Sequence, residues 1–79
     1  MRLDKFLKVS RVIKRRTVAN DACDAGRVSV NGKAAKASAD VKIGDIVEVR
    51  FGSSSTKFEI LSVNEVIKKE DAGLMYRLL

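Results

Sequence analysis

The chain has 79 residues, of which 46% are hydrophobic and 33% are charged, so it can bury one modest core and leaves no room for a second domain. Its one cysteine excludes an internal disulfide. The sequence contains neither an apolar signal-peptide stretch nor a run of about 18 apolar residues that could span a membrane. We therefore expect a single domain over residues 1–79, in a reduced, cytoplasmic setting.

The excess positive charge lies in the first half of the chain. Residues 1–36 contain ten basic and three acidic residues, a net charge of +7, whereas residues 37–79 contain six basic and seven acidic residues, a net charge of −1. A surface that serves solubility intersperses both signs along the whole chain. The asymmetry predicts that the N-terminal half presents a face to a polyanionic partner.

A short amphipathic helix is predicted over residues 3–10. Leu3, Phe6, Leu7 and Ser10 recur at the spacing of one helix face, and basic side chains point away from that face.

A second helix is predicted over about residues 17–25, where Thr17 can cap the start through its hydroxyl and Gly26 can take the left-handed conformation after the end. Asp21 and Asp24 are expected to face solvent. The buried face is predicted to consist mainly of small side chains, namely Val18, Ala19, Ala22 and Cys23.

Beyond Gly26 the apolar period changes to two, which is typical of strands. Val28 and Val30 alternate with polar residues, and Asn31-Gly32 is the preferred pair for a two-residue type I′ hairpin turn. After a loop over residues 34–41, a second hairpin is predicted from a strand over residues 46–51, a loop over residues 52–56 and a returning strand.

The returning strand of this second hairpin is predicted to place Phe58, Ile60 and Val63 on the core, and Phe51 is expected to face the core as well. The C-terminal segment is predicted to form a helical turn at residues 69–72 and then an apolar end that docks on the core, formed by Met75, Tyr76, Leu78 and Leu79. The predicted fold class is α+β, with two N-terminal helices packed on a small twisted, mainly antiparallel sheet.

Four motifs resemble the S4 RNA-binding domain, in one unbroken register over about residues 1–50. They are Met1-Arg-Leu-Asp-Lys-Phe-Leu7, Arg11 with Lys14-Arg-Arg-Thr17, Gly26-Arg-Val-Ser-Val-Asn-Gly-Lys33 and Val41-Lys-Ile-Gly-Asp45. The resemblance implies the αL motif, two helices against a small sheet, which recognises structured RNA in ribosomal proteins, pseudouridine synthases and a tyrosyl-tRNA synthetase. Residues 1–50 are then the RNA-binding core, and residues 51–79 a hairpin strand and a short helix or strand that complete the fold.

Over its full length the chain is similar to the small stand-alone members of this family, above all to the RqcP family of ribosome-associated quality control. That resemblance implies binding to a large ribosomal subunit that still carries peptidyl-tRNA, with contacts to ribosomal RNA and tRNA. It also implies support for C-terminal alanine tailing of the stalled chain, together with a larger tailing protein. The alternatives are a heat-shock-type ribosome-binding factor without a tailing role and an accessory of rRNA or tRNA modification.

Guanidinium groups near the start of the second helix can pair with phosphate, and exposed backbone amides there add positive potential. The alternative interpretation of these basic residues is a charge run that only faces solvent. Asn31 is also the residue that the hairpin turn requires, whatever the function. The Thr17 hydroxyl is expected mainly to cap the second helix. Asp4 is expected to be structural, either capping the first helix or orienting a basic neighbour. The candidate RNA contacts are Arg2, Lys5, Arg11, Lys14, Arg15, Arg16, Thr17, Arg27, Asn31, Lys33 and Lys36.

No catalytic residue, metal ligand or cofactor is expected. The chain contains no histidine, no Gly-rich phosphate loop and no nucleophile elbow, and Cys23 falls on the small-residue face of the second helix, where it is expected to be core. Membrane association through the first helix is the rival hypothesis, but the core needs its apolar stripe. The chain is expected to act as a monomer and not to bind membranes.

Overall fold

A computed structural model describes residues 1–65 and 67–79 as two helices, a five-stranded sheet and a short 3₁₀ helix. The sheet is antiparallel throughout, in the order β2-β1-β3-β4-β5. This confirms the predicted fold class. The elements in chain order are α1 (Leu3–Val9), α2 (Arg16–Asp24), β1 (Val28–Val30), β2 (Lys33–Ala34), β3 (Ile46–Phe51), β4 (Ser54–Ile60), the 3₁₀ helix (Lys69–Met75) and β5 (Tyr76–Leu78).

Helix α1 has the predicted apolar stripe, and all four of its members are buried. The first amide groups of a helix have no partner within the helix. In α1 the amides of Leu3 and Asp4 donate to the carbonyls of Ala39 and Ala37, at 2.8 and 3.1 Å. The loop predicted over residues 34–41 therefore runs past the start of α1 and completes its hydrogen bonding.

Helix α2 begins one residue earlier than predicted, and Thr17 does not cap it. Arg15 is the extended residue before the helix, and no side chain caps the first turn. Thr17 is consequently the second helical residue, and its side chain is exposed. The prediction of the buried face of α2 was correct for Ala19, Ala22 and Cys23. Val18 is 43% exposed, because it lies about 100° around the helix from Ala19.

The first hairpin turns at Asn31-Gly32 as predicted. Both residues have positive φ, 52° and 85°, which a type I′ turn requires, and Val30 pairs directly with Lys33 across it.

The second hairpin differs from the prediction, because β4 already begins at Ser54 and the connection is reduced to Gly52-Ser53. Residues 54–56 are exposed and carry no apolar pattern, so main-chain pairing with β3 holds them in the strand. The strand ends at Ile60, before Val63.

The centre of the core is a row of three aromatic rings. Phe58 on β4 lies 6.1 Å from Phe6 on α1 and 5.2 Å from Tyr76 on β5, measured between ring centroids.

The C-terminal end docks on the core through Met75 and Tyr76. The prediction that Leu78 and Leu79 also dock was wrong, since both are exposed at the end of an edge strand. Phe51 is also 44% exposed, because it is the last residue of β3. The division of the chain at residue 50, into an RNA-binding core and a C-terminal part that completes the fold, stays a prediction.

Replacement of Phe58 by alanine is expected to lower the free energy of unfolding by about 3–5 kcal/mol, because it removes the ring that joins α1, β4 and β5. Urea unfolding followed by circular dichroism measures the change. Phe51→Ala is the matched control, and its loss should stay below about 1 kcal/mol because the ring is half exposed. Equal losses in the two variants would contradict this account of the core.

Candidate RNA interface

A buried carboxylate organises the surface between the two helices. Asp4, in the first turn of α1, is 2% exposed. It accepts a hydrogen bond from the amide of Lys5 at 2.7 Å, and the Nε and Nη2 atoms of Arg2 donate to its two oxygens at 3.2 and 3.3 Å. The expected structural role of Asp4 is confirmed, because it satisfies an amide of the first turn and orients a basic neighbour at the same time.

The same carboxylate is bound by α2. The Nε atom of Arg16 lies 3.4 Å from Oδ2 of Asp4, and the side-chain amide of Asn20 donates to that oxygen at 3.3 Å. Asn20 was not among the predicted site residues. It lies four residues after Arg16 and so on the same helix face, which is the signal in the sequence that could have found it.

The pKa of Asp4 reflects this environment. Burial alone raises it, but hydrogen bonds from Asn20, Arg2 and the Lys5 amide, together with the charge of Arg16, lower it further than burial raises it. The net result is a pKa below the usual value of 3.8, so the group is a carboxylate at neutral pH. Arg2 and Arg16 thus face a fixed negative charge from two sides.

Two shallow grooves adjoin this cluster. One, of about 400 Å³, is lined by Arg2, Asp4, Arg16, Thr17, Asn20 and Asp21. The other, of about 370 Å³, shares Arg2 and Asn20 with the first and extends to Lys36. The structure therefore brings together four predicted contacts on one surface: Arg2, Arg16, Thr17 and Lys36. We call this surface, with Asp4 and Asn20, the arginine groove. Thr17 does not cap α2, and its exposed side chain lines the groove.

Arg11 and Lys14 lie apart from the arginine groove, around a smaller hollow of about 240 Å³ that Glu65 also lines. Arg11 has a φ of 63°, a left-handed conformation that costs a residue with a Cβ about 1 kcal/mol. It ends α1 in the position that glycine usually takes. Both side chains are exposed, as is that of Arg15 at the start of α2.

The other four predicted contacts lie outside the arginine groove, and two of them are already engaged in contacts within the protein. Lys5 is half-buried and forms an ion pair with Glu65 at 3.3 Å. The side chain of Asn31 donates to Asp45 at 3.1 Å and accepts from the amide of Ile46 at 2.9 Å, so it ties the hairpin to β3. Lys33 is exposed beside that turn, and Arg27 lies beyond the far end of α2.

Cys23 is buried in α2, as predicted for a core residue. Burial raises the pKa of its thiol to about 11, and the negative charges of Asp4 and Asp24 add to the increase. The thiolate, which is the reactive form, is therefore scarce at neutral pH. Among the helices that the structure describes, none is long and apolar enough to cross a membrane.

The fold and this surface define a class: a small α+β domain whose two helices hold an exposed pair of arginines around a buried carboxylate. The S4 domain family matches residues 1–47. A relative from Streptococcus pneumoniae, described as an RQC P-site tRNA stabilizing factor, is 53% identical over 79 residues, all of this chain and 90% of that protein. A Bacillus subtilis relative with the same description is 54% identical over 79 residues, all of this chain and 92% of that protein.

The structure of Heat Shock Protein 15 from Vibrio cholerae, described as trimeric, has a TM-score of 0.90 and 31% identity, and covers 100% of this chain and 81% of that one. The chain belongs to the S4 domain family, and it shares its whole length with the RQC P-site tRNA stabilizing factors. The resemblance found in the sequence is thereby confirmed.

The charge of Asp4 should make stability depend on pH. Its pKa is lowered in the folded state, so its contribution is fully present above the unfolded value of about 3.9 and is lost as the pH falls through the folded value. Asp4→Asn should lower the free energy of unfolding by about 2 kcal/mol at pH 7, and the difference from the unsubstituted protein should shrink below about pH 4. Urea unfolding at several pH values measures this.

Asp21→Asn, at an exposed position of α2, is the control and should change stability little at any pH. A difference for Asp4→Asn that is the same at pH 3 and pH 7 would show that shape, and not the charge of the carboxylate, holds the helices together.

Proposed function

We propose that this chain is an RNA-binding adaptor that binds structured ribosomal RNA and tRNA on the large ribosomal subunit. The observation that carries the proposal is the arginine groove, an exposed surface on the half of the chain with a net charge of +7, in which Arg2 and Arg16 are held by Asp4. No enzymatic activity is proposed. Because its partner is the ribosome, the protein would act in the cytoplasm.

Asp4 positions the two guanidinium groups but does not occupy all of their hydrogen-bond donors. A guanidinium has five N–H donors. Arg2 uses its Nε and one Nη2 donor on Asp4, and Arg16 uses its Nε. Both side chains remain about half exposed, at 49% and 47%. Their remaining donors are free to bind phosphate oxygens, and the orienting bonds lower the entropy that binding would otherwise lose.

The partner is inferred from the relatives. Two proteins that share the whole length of this chain at more than half identity are described as stabilizing P-site tRNA in RQC. We infer that this chain holds peptidyl-tRNA on the large subunit after a stalled ribosome splits. In that position it would support the addition of C-terminal alanines by a larger tailing protein.

A heat-shock-type role without tailing is the second candidate, and the fold similarity to Heat Shock Protein 15 favours it. The Vibrio cholerae protein is described as trimeric, whereas we propose that this chain acts as a monomer, because its arginine groove is complete within one chain. Deletion of the gene separates the two functions. Loss of alanine tails from stalled chains supports the tailing role, and unchanged tails support the second candidate.

A tagged copy should migrate with free large subunits that carry peptidyl-tRNA on a sucrose gradient, and Arg16→Ala should release it to the top. The loss is expected because Arg16 is one of the two positioned guanidinium groups. Lys69→Ala removes the same charge from the exposed start of the 3₁₀ helix and should migrate like the unsubstituted protein. An unsubstituted protein that stays at the top in low salt would overturn the proposed function.

The affinity for large subunits should depend steeply on salt. If about five basic residues contact phosphate, the logarithm of the binding constant should fall against the logarithm of salt concentration with a slope of about −3.5 to −4.5, by counterion release. Arg16→Ala should make that slope less steep by about one charge. Fluorescence titration of labelled protein at several salt concentrations measures it. An unchanged slope in Arg16→Ala would show that Arg16 does not contact phosphate.

A further inference from the structure

The face of the sheet that points away from the helices has a regular pattern of charge. The residues of this outer face alternate along the strands with the buried residues Val28, Val47, Val49 and Phe58. On this outer face Glu48 lies directly opposite Lys57, and Glu59 lies opposite Arg77, with which it forms a 2.6 Å ion pair. Opposite charges across neighbouring strands stabilise a sheet.

One position breaks this pattern. Val28 pairs with Val49, and one step further the amide of Arg50 donates to the carbonyl of Arg27 at 2.9 Å. Extended by one residue, the register of β1 against β3 therefore sets Arg27 across from Arg50, and cross-strand neighbours have Cβ atoms about 4.5–5.5 Å apart. Both side chains are exposed, and no carboxylate among residues 1–65 and 67–79 forms an ion pair with either. Like charges in this position destabilise the sheet.

The next residue along this row is Ser55 on β4, which pairs with Arg50 and is also exposed. The row thus presents two guanidinium groups and a hydroxyl, all of which can donate hydrogen bonds to phosphate oxygens. It contains no apolar side chain. A protein partner is expected to need an apolar anchor at the centre of its contact, so the chemistry of the row fits a phosphate backbone better than an acidic protein.

We propose that Arg27, Arg50 and Ser55 form a second phosphate-binding row on the same RNA, beyond the C-terminal end of α2, whereas Arg16 of the arginine groove lies at the start of that helix. The inference rests on the proposed function and extends it, because Arg50 and Ser55 lie outside the S4 match at residues 1–47. Helix α2 has nine residues and so spans about 14 Å, which means that Arg16 and the row engage different phosphates. The RNA surface then reaches beyond the residues 1–36 that the charge distribution indicated.

Arg50→Gln tests the row through binding to large subunits over a range of salt concentrations. Loss of one phosphate contact should make the slope less steep by about 0.7–0.9, which corresponds to about five- to eightfold weaker binding at 0.1 M salt. The melting temperature should stay the same or rise, because the repulsion from Arg27 is relieved. A residue that merely supports the fold would lower it. Lys69→Gln is the charge-matched control and should leave both the slope and the affinity unchanged.

The outcomes separate this inference from the proposed function. If Arg16→Ala weakens binding and makes the salt slope less steep while Arg50→Gln retains the affinity and slope of the unsubstituted protein, the row is wrong and the proposed function stands. Weaker binding by Arg50→Gln with an unchanged salt slope would mean that the row contacts protein, and would overturn the phosphate assignment. An unsubstituted protein that does not bind large subunits would overturn both.

Discussion

The structure depends on one electrostatic constraint, the buried carboxylate of Asp4 between two helices. An unpaired charge in such a place would cost several kcal/mol, so its partners have to be present in the folded state. They come from both helices: Arg2 and the Lys5 amide beside Asp4, and Arg16 and Asn20 on α2. The small buried side chains of α2, such as Ala19 and Ala22, allow the helices to approach closely enough for these bonds to form. Helix packing and the position of the arginines are therefore coupled.

This coupling has a consequence for binding. Arginine side chains lose about 1.5–2 kcal/mol of rotamer freedom when they are immobilised, and binding sites on flexible chains incur that loss when the partner arrives. Here folding orders Arg2 and Arg16 beforehand. Because α2 packs against the same carboxylate and the loop over residues 35–41 accepts a hydrogen bond from the backbone amide of Asp4, Thr17 and Lys36 are placed beside them. The groove is in this sense a product of the fold, and a negative charge at its base is compatible with a phosphate at its rim.

Local rules in the sequence were sufficient for part of this architecture. The stripe of α1 and the Asn31-Gly32 turn depend on residues a few positions apart, and both were predicted correctly. The start of β4 was missed because Ser54 has no apolar signal and is held by its pairing with Phe51. Asn20 was missed for a related reason, since its bond to Asp4 spans sixteen residues of sequence. The burial of the last two residues was predicted wrongly. An apolar residue such as Leu78 looks the same in sequence whether its edge strand is covered or not.

The distribution of charge along the chain also understates the basic surface of the fold. Arg50 belongs to the half with a net charge of −1, yet the register of β3 against β1 sets it beside Arg27 from the basic half. Glu48, two residues before it on the same strand, does not neutralise it, because Glu48 is matched across the sheet to Lys57, and Glu59 is matched to Arg77. Pairing between strands thus sorts the charges of β3, β4 and β5 into two balanced pairs and one unbalanced position. That position lies next to the C-terminal end of α2, whereas Arg16 lies at its start, so a single nine-residue helix sets the spacing between Arg16 and the pair of Arg27 and Arg50.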